Sequence, residues 1–166
     1  RRAFTGSEIR ALLNAAGKGG VLYGMRGRDR AMLYRLALET GLRWAELQSL
    51  TCRCFDLDSA PPTVSVNAAY SKHRREDVLP LRANTAKALR AYFGASLPEA
   101  RAFPMPKGRY GAKMISDDLT AAGITAQEGL DVHALRHTFI TNLARAGVTP
   151  KVAQDLARHS DINLTL

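Results

Sequence analysis

Hydrophobic residues recur every three or four positions over most of the chain, a spacing that predicts amphipathic helices. The first helix opens at a capping box, Thr5-Gly-Ser-Glu8, and a basic, glycine-rich loop over 18–28 follows it. Glycines set most of the other boundaries. The predicted helices run from Thr5 to about Gly17, from Asp29 to Gly41, from Arg43 to Leu50, from Arg82 onward, from about Ala112 to Ala122, and then twice within Asp131–Leu166, divided at Gly147 and Thr149-Pro150.

After Leu50 the hydrophobic period changes from about four to two, which predicts short strands. The predicted strands are Cys52–Leu57, Thr63–Val66 and Asp77–Leu81. Turns at Pro61-Pro62 and at Ser71–Glu76 make neighbouring strands antiparallel. The predicted fold class is therefore α+β, mainly α-helical, with one small three-stranded antiparallel sheet.

A length of 166 residues with 46% hydrophobic residues predicts one domain over 1–166 with its own core. No hydrophobic run approaches the length that spans a membrane, and RRAFTGSEIR at the start has no hydrophobic signal-peptide core. Cys52 and Cys54 lie two apart in a predicted strand, where their side chains point to opposite faces and do not pair. Reduced cysteines favour a cytoplasmic location.

The net charge of +9 indicates a polyanionic partner, with nucleic acid first and an anionic membrane second. The 24 Lys and Arg residues are spread along the chain rather than gathered in a tail. That distribution favours a folded basic surface over a disordered arm.

The candidate chemistry concentrates in Asp131–Leu166. His133 and Arg136 lie three positions apart, so both project from one side of the predicted helix, and His159 follows near the end of this stretch. Histidine transfers protons near neutral pH, and arginine is a permanent, planar clamp for phosphate. This pattern indicates a site for phosphate chemistry, but the stretch has no obvious nucleophile.

A zinc site or a hydrolase site fits these histidines less well. His133 and His137 share a helical face, as zinc ligands do, but Ala134 replaces the glutamate of the metalloprotease helix and Arg136 would repel a dication. A structural role, with hydrogen bonds inside the fold, is favoured for His137. The sequence also has no serine elbow of the hydrolase type and no phosphate-binding loop of the Walker type.

Two upstream positions carry further candidates. Arg43 begins a helix next to backbone N–H groups that favour anions, and Glu46, three positions later, either pairs with it on the surface or orients it. Lys72 lies in SKHRRE at a strand-to-strand turn, where a lysine can fold over a bound backbone or donate a proton. Taken singly, each of these residues is better explained as an ordinary solvated charge.

Taken together, these residues resemble the tyrosine recombinases, or phage integrases. The resemblance rests on TGLRWAEL, on SK in a turn before VLPL, on HALRHTFIT and on LARHSDINLT, and it covers nearly the whole chain. It implies the catalytic-domain fold of that family and site-specific DNA recombination through a 3′-phosphotyrosine, with neither metal nor nucleotide cofactor. Its implied partners are double-stranded DNA and other protomers assembled on DNA, with no membrane.

The resemblance also implies a role for each matching residue. Arg43 and Arg136 would clamp the scissile phosphate, and Lys72 would protonate the departing 5′ oxygen. His133 and His159 would hydrogen-bond the phosphate and assist proton movement. Two positions are supporting: Glu46 matches the acidic residue that supports the first arginine, and His137 matches a structural position.

Two departures from the family pattern stand out. The Leu-Gly that commonly precedes the last histidine is Ala157-Arg158 here. The nucleophilic tyrosine of the family lies nine residues beyond that histidine, which is two positions past Leu166. We therefore expect a catalytic domain that lacks the N-terminal core-binding domain and ends before the nucleophile, so that the chain as given is inactive in covalent cleavage. The alternatives are a type IB topoisomerase-like enzyme and an inactive DNA-binding module.

Overall fold

A computed structural model describes residues 2–69, 76–108, 110–125 and 129–158. Helices dominate these ranges, as the hydrophobic spacing predicts. The helices are α1 (Gly6–Lys18), α2 (Gly27–Thr40), α3 (Trp44–Ser49), α4 (Ala83–Phe93), α5 (Tyr110–Ala121), α6 (Val132–Arg145) and α7 (Pro150–Ala157). The strands are β1 (Phe55–Asp56), β2 (Thr63–Val66) and β3 (Asp77–Pro80). None of the helices in the described part of the chain has the length and hydrophobicity needed to cross a bilayer.

The chain divides into two compact units, and the first is helical. It comprises residues 1–43 and 104–166, so that two separate stretches of sequence build it. Helix α2 packs against both α1 and α6, and α5 packs against α1. The side chains enclosed between these helices are almost entirely apolar, as a close-packed core requires. They include Leu12, Leu33, Leu36, Met114, Ile115 and Leu135.

One buried polar cluster interrupts this core. Arg30 of α2 donates from Nε and Nη2 to the two carboxylate oxygens of Asp118 on α5, at 2.8 and 3.1 Å. Its Nη1 donates to the carbonyls of Gly20 and Met25, both at 2.7 Å. The Tyr34 hydroxyl donates to Asp118 at 2.6 Å. Burial, with this hydrogen bond, raises the pKa of Tyr34 above its ordinary range. The cluster ties α2 to α5 through paired charges that water does not reach.

The second unit, residues 44–103, contains the small sheet. Its strand order is β1-β2-β3, and both pairs are antiparallel, with Val64 opposite Phe55 on one side and Leu79 on the other. Alternate residues of β2 are buried, as period-two spacing predicts. Apolar side chains from the sheet and from α3 and α4 form the core of this unit. They include Leu47, Leu50, Val64, Val66, Leu79, Leu89 and Phe103.

The predicted fold class is confirmed, but the first strand is shorter than predicted. Cys52–Cys54 forms a single 3₁₀ turn, and only Phe55 and Asp56 pair with β2. The reason is that the amides of Cys52 and Arg53 donate to the carbonyls of Ala100 and Pro98, both at 2.9 Å, instead of to a neighbouring strand. Both cysteines are free and half-buried, as predicted, although they lie in this turn rather than in an extended strand.

The N-terminus of α1 has the predicted capping box. Thr5 Oγ1 accepts from the Glu8 amide at 3.2 Å, and a Glu8 carboxylate oxygen accepts from the Thr5 amide at 2.9 Å. Arg2 adds a bidentate ion pair to the same carboxylate, at 2.8 and 2.6 Å. The Arg2 guanidinium, helped by Thr5, lowers the pKa of Glu8 from 4.5 to about 2.

These contacts make a pH-dependent contribution to stability. Because the pKa of Glu8 is lowered in the folded chain, its stabilisation is fully present above pH 4.5 and is lost as the pH falls towards 2. We expect Glu8→Gln to lower the free energy of unfolding by about 1 kcal/mol at pH 7. Urea denaturation between pH 7 and pH 2 should show this difference shrinking with acidity. Glu99→Gln is the control, because it removes an ion pair with Arg53 in which both side chains are exposed. This variant should show no such pH dependence.

Candidate anion-binding site

The HxxR motif lies in the first turns of α6. Asp131 caps this helix by accepting a hydrogen bond from the Ala134 amide at 2.9 Å. Ala134 and Leu135 are buried, whereas His133 is exposed and Arg136 is half-buried. The local structure therefore turns His133 and Arg136 away from the core, as their three-residue spacing predicts.

The guanidinium of Arg136 is held by the ends of two other helices. Its Nη1 donates to the carbonyl of Gly41 at 2.5 Å, and its Nη2 donates to the carbonyl of Ala157 at 2.6 Å. Gly41 is the residue that ends α2, and Ala157 is the last residue of α7. Carbonyls at helix C-termini have no partner inside the helix and attract cations. The two bonds fix the plane of a group suited to bind an anion bidentately.

The carbonyl of Gly41 reaches Arg136 because the end of α2 packs tightly against α6. Gly41 has a left-handed backbone, with φ of 68°, and a Cβ placed on it would meet the ring of Phe139. Only glycine tolerates both the left-handed backbone and the close approach of the Phe139 ring without strain. Arg43, two residues farther on, is half-buried, and its Nη1 is enclosed. The structure thus brings the segment with the first predicted arginine next to the second one.

The other helix end that holds Arg136 contains one of the departures from the family pattern. Arg158 follows Ala157 with a left-handed backbone, φ 60° and ψ 37°, which terminates α7. Glycine is the usual residue at such a position because a Cβ there is strained. The Leu-Gly of the family pattern therefore fits the same turn. Arg158 is also only 2% exposed. The sequence shows the departure from Leu-Gly but not the left-handed turn.

The other predicted site residues are Lys72, His159, Glu46 and His137. Lys72 and His159 lie outside the described residues. Glu46 lies on α3, in the second unit, and is 1% exposed. His137 is exposed, so the predicted place inside the fold is wrong. The exposure follows from its position four residues after the exposed His133, on the same face of α6. The buried polar residue of this helix is Thr138, which accepts from the Phe4 amide at 2.8 Å.

Comparisons with known proteins show which family the chain resembles. The family model described as the phage integrase family matches residues 2–166. Tyrosine recombinase XerD of Bifidobacterium longum is 27% identical over 176 aligned residues, which cover 97% of this chain and 55% of XerD. The chain thus spans about half the length of this relative.

Solved structures share the fold. The catalytic domain of bacteriophage HP1 integrase aligns with a TM-score of 0.72 at 21% identity, covering 99% of this chain and 84% of that one. XerH site-specific recombinase, bound to its difH substrate before cleavage, aligns with a TM-score of 0.77 at 20% identity, covering 99% and 49%. With the family model matching almost every residue, the chain belongs to the phage integrase family.

Proposed function

We propose that the chain is the catalytic domain of a tyrosine-type site-specific DNA recombinase. The observation that carries the proposal is the guanidinium of Arg136, fixed between the carbonyls of Gly41 and Ala157 beside the exposed His133. A rigid, planar cation next to a proton-transferring side chain is suited to hold a phosphodiester and to stabilise the charge that develops on it. Membership of the phage integrase family supports the same chemistry.

In this mechanism a tyrosine oxygen attacks the scissile phosphorus and the bond to the 5′ oxygen breaks. Arg43 and Arg136 neutralise the charge on the non-bridging oxygens, where bidentate contacts are strongest. Lys72 gives a proton to the departing 5′ oxygen as general acid. His133 and His159 hydrogen-bond the phosphate and assist proton movement. One phosphodiester replaces another at each step, so the exchange needs no nucleotide cofactor, and the two arginines supply the charge neutralisation that a metal ion would otherwise give.

Glu46 supports this set without touching the phosphate. Its burial at 1% exposure agrees with a structural carboxylate rather than a surface charge. The exposed His137 lies one turn after His133 and takes no part in the chemistry.

The partner in this proposal is double-stranded DNA, together with other protomers of the same recombinase assembled on it. The net charge of +9 supports a polyanionic partner. A fold neighbour, XerH recombinase, is known in complex with its difH DNA substrate. Acting on DNA would place the protein at the nucleoid.

Duplex DNA binding without covalent attachment tests this function. We expect the 166-residue chain to bind a duplex with an affinity that falls about a thousandfold or more between 50 and 200 mM salt, because phosphate contacts release counterions. Fluorescence anisotropy measures this dependence. With a nicked suicide substrate we expect no covalent adduct, since the family's tyrosine position lies beyond residue 166. A salt-independent affinity would contradict the DNA-binding role, and a stable adduct would contradict the assignment of the nucleophile.

A further inference from the structure

We propose that Arg158 is a positioning residue for Arg136, holding the Ala157 carbonyl where the Arg136 guanidinium needs it. The catalytic consequence of this inference rests on the proposed function, whereas the structural link itself does not. Three features carry it: the left-handed backbone of Arg158, its burial, and the hydrogen bond from Arg136 to the residue just before it.

The left-handed backbone of Arg158 leaves the Ala157 carbonyl open. Because φ of Arg158 ends the helical path, the Ala157 carbonyl at the C-terminus of α7 remains available to a donor from another helix. The Arg158 amide turns back to the Asp155 carbonyl at 3.2 Å and ends the helix there. The Ala157 carbonyl, having no amide of a following helical turn, accepts from Arg136 at 2.6 Å.

The side chain of Arg158 anchors the end of α7. This helix has eight residues, and its fully buried ones are Ala153 and Ala157, which bring little apolar area to the core. Val152 on the same helix is 46% exposed. Arg158, at 2% exposure, is the largest enclosed side chain in the described segment 150–158. Its aliphatic stem packs like an apolar residue, so its burial fixes the helix end more firmly than the two alanines do.

An arginine at this position is costly, which argues for a specific role. A left-handed backbone is strained for a residue with a Cβ, and a buried guanidinium must recover its lost hydration. Glycine would avoid both costs and would still allow the turn. It would also remove the buried side chain that anchors the end of α7, so that the Ala157 carbonyl would no longer be held on Arg136.

The experiment follows the Arg136 side chain directly by NMR in the 166-residue chain. Arg158→Gly keeps the turn and removes the anchor, Arg158→Lys keeps a long cationic stem, and Arg145→Ala removes an exposed arginine at the far end of α6 as the matched control. In the wild type and in Arg145→Ala we expect a rigid Nε–Hε signal of Arg136. In Arg158→Gly that signal should show increased mobility, and Arg158→Lys should restore most of the rigidity.

Binding of inorganic orthophosphate to the same proteins gives the functional readout. Arg158→Gly should weaken the affinity by at least about tenfold, since a misplaced clamp loses its preorganisation. Arg145→Ala should stay within about twofold of the wild type because a single exposed charge is screened.

The outcomes separate the inference from the proposed function. A folded Arg158→Gly variant with an unchanged Arg136 signal would overturn the positioning role. Loss of folding in that variant would also overturn it, because Arg158 would then be a general stabiliser of the fold. If the wild type binds no orthophosphate, the proposed clamp fails, while the mobility of Arg136 still decides the positioning role.

Discussion

Arg136→Ala is expected to slow DNA cleavage by at least about a thousandfold, because a donor aimed at the developing charge acts mainly in the transition state. DNA affinity should fall far less, since many other cations contact the backbone. The measurement is single-turnover cleavage in a protein that carries the family's tyrosine after this chain, compared with the dissociation constant of the same variant. Equal losses in rate and in affinity would show that Arg136 is only a DNA contact.

Arg136→Lys refines this test. A lysine keeps the charge, but its single ammonium cannot match the planar geometry that spans the Gly41 and Ala157 carbonyls while facing a phosphate. We therefore expect Arg136→Lys to lose most of the cleavage rate as well. Arg145→Ala, on the exposed end of the same helix, should cleave at the wild-type rate. A fully active Arg136→Lys variant would show that charge, rather than fixed geometry, is what this position supplies.

The largest expected effect on stability comes from Asp118→Ala. This change leaves the buried Arg30 without its counter-ion and the Tyr34 hydroxyl without its acceptor. Breaking one side of a buried ion pair costs about 3–5 kcal/mol, a large share of the stability of a domain this size. Urea denaturation at pH 7 measures the loss. Asp117→Ala is the matched control, because Asp117 is exposed and its hydrogen bond from Tyr23 is 3.3 Å long.

A further variant distinguishes pairing from packing. Replacing the whole cluster with apolar residues, as Arg30→Met, Tyr34→Phe and Asp118→Leu together, removes every buried charge of the cluster at once. We expect this triple variant to recover much of the stability lost in Asp118→Ala. If it is no more stable than the single variant, then packing volume rather than the unpaired charge explains the loss.

Signals between residues that are close in sequence predicted most of the fold. The capping box at Thr5, the stop at Gly41 and the first-turn Pro150 act on their own helices, so neighbours in sequence suffice to place them. The strand predicted at Cys52–Cys54 was wrong for the opposite reason, because its backbone donors are taken by residues near Ala100. The burial of Arg30 was also missed, since its partner Asp118 lies 88 positions away.

The candidate site was likewise predicted only in part from the sequence. The motif predicted that His133 and Arg136 share a face, which the structure confirms, whereas their chemical roles stay predictions. It did not predict that main-chain carbonyls hold Arg136, because carbonyls are common to every residue and leave no mark in a sequence. The left-handed turn at Arg158 was equally invisible, since arginine does not ordinarily indicate it.

The bond from Arg136 to Gly41 joins residues 95 positions apart, and it has a consequence for biosynthesis. A ribosome adds about 5–20 residues each second, so α1 and α2 emerge several seconds before α6 and α7. Until then the face of α2 that packs against α6 has no α6 to cover it. A nascent chain therefore needs protection from aggregation during this interval. The hydrogen bond from Arg136 to the Ala157 carbonyl likewise cannot form before Ala157 has been translated.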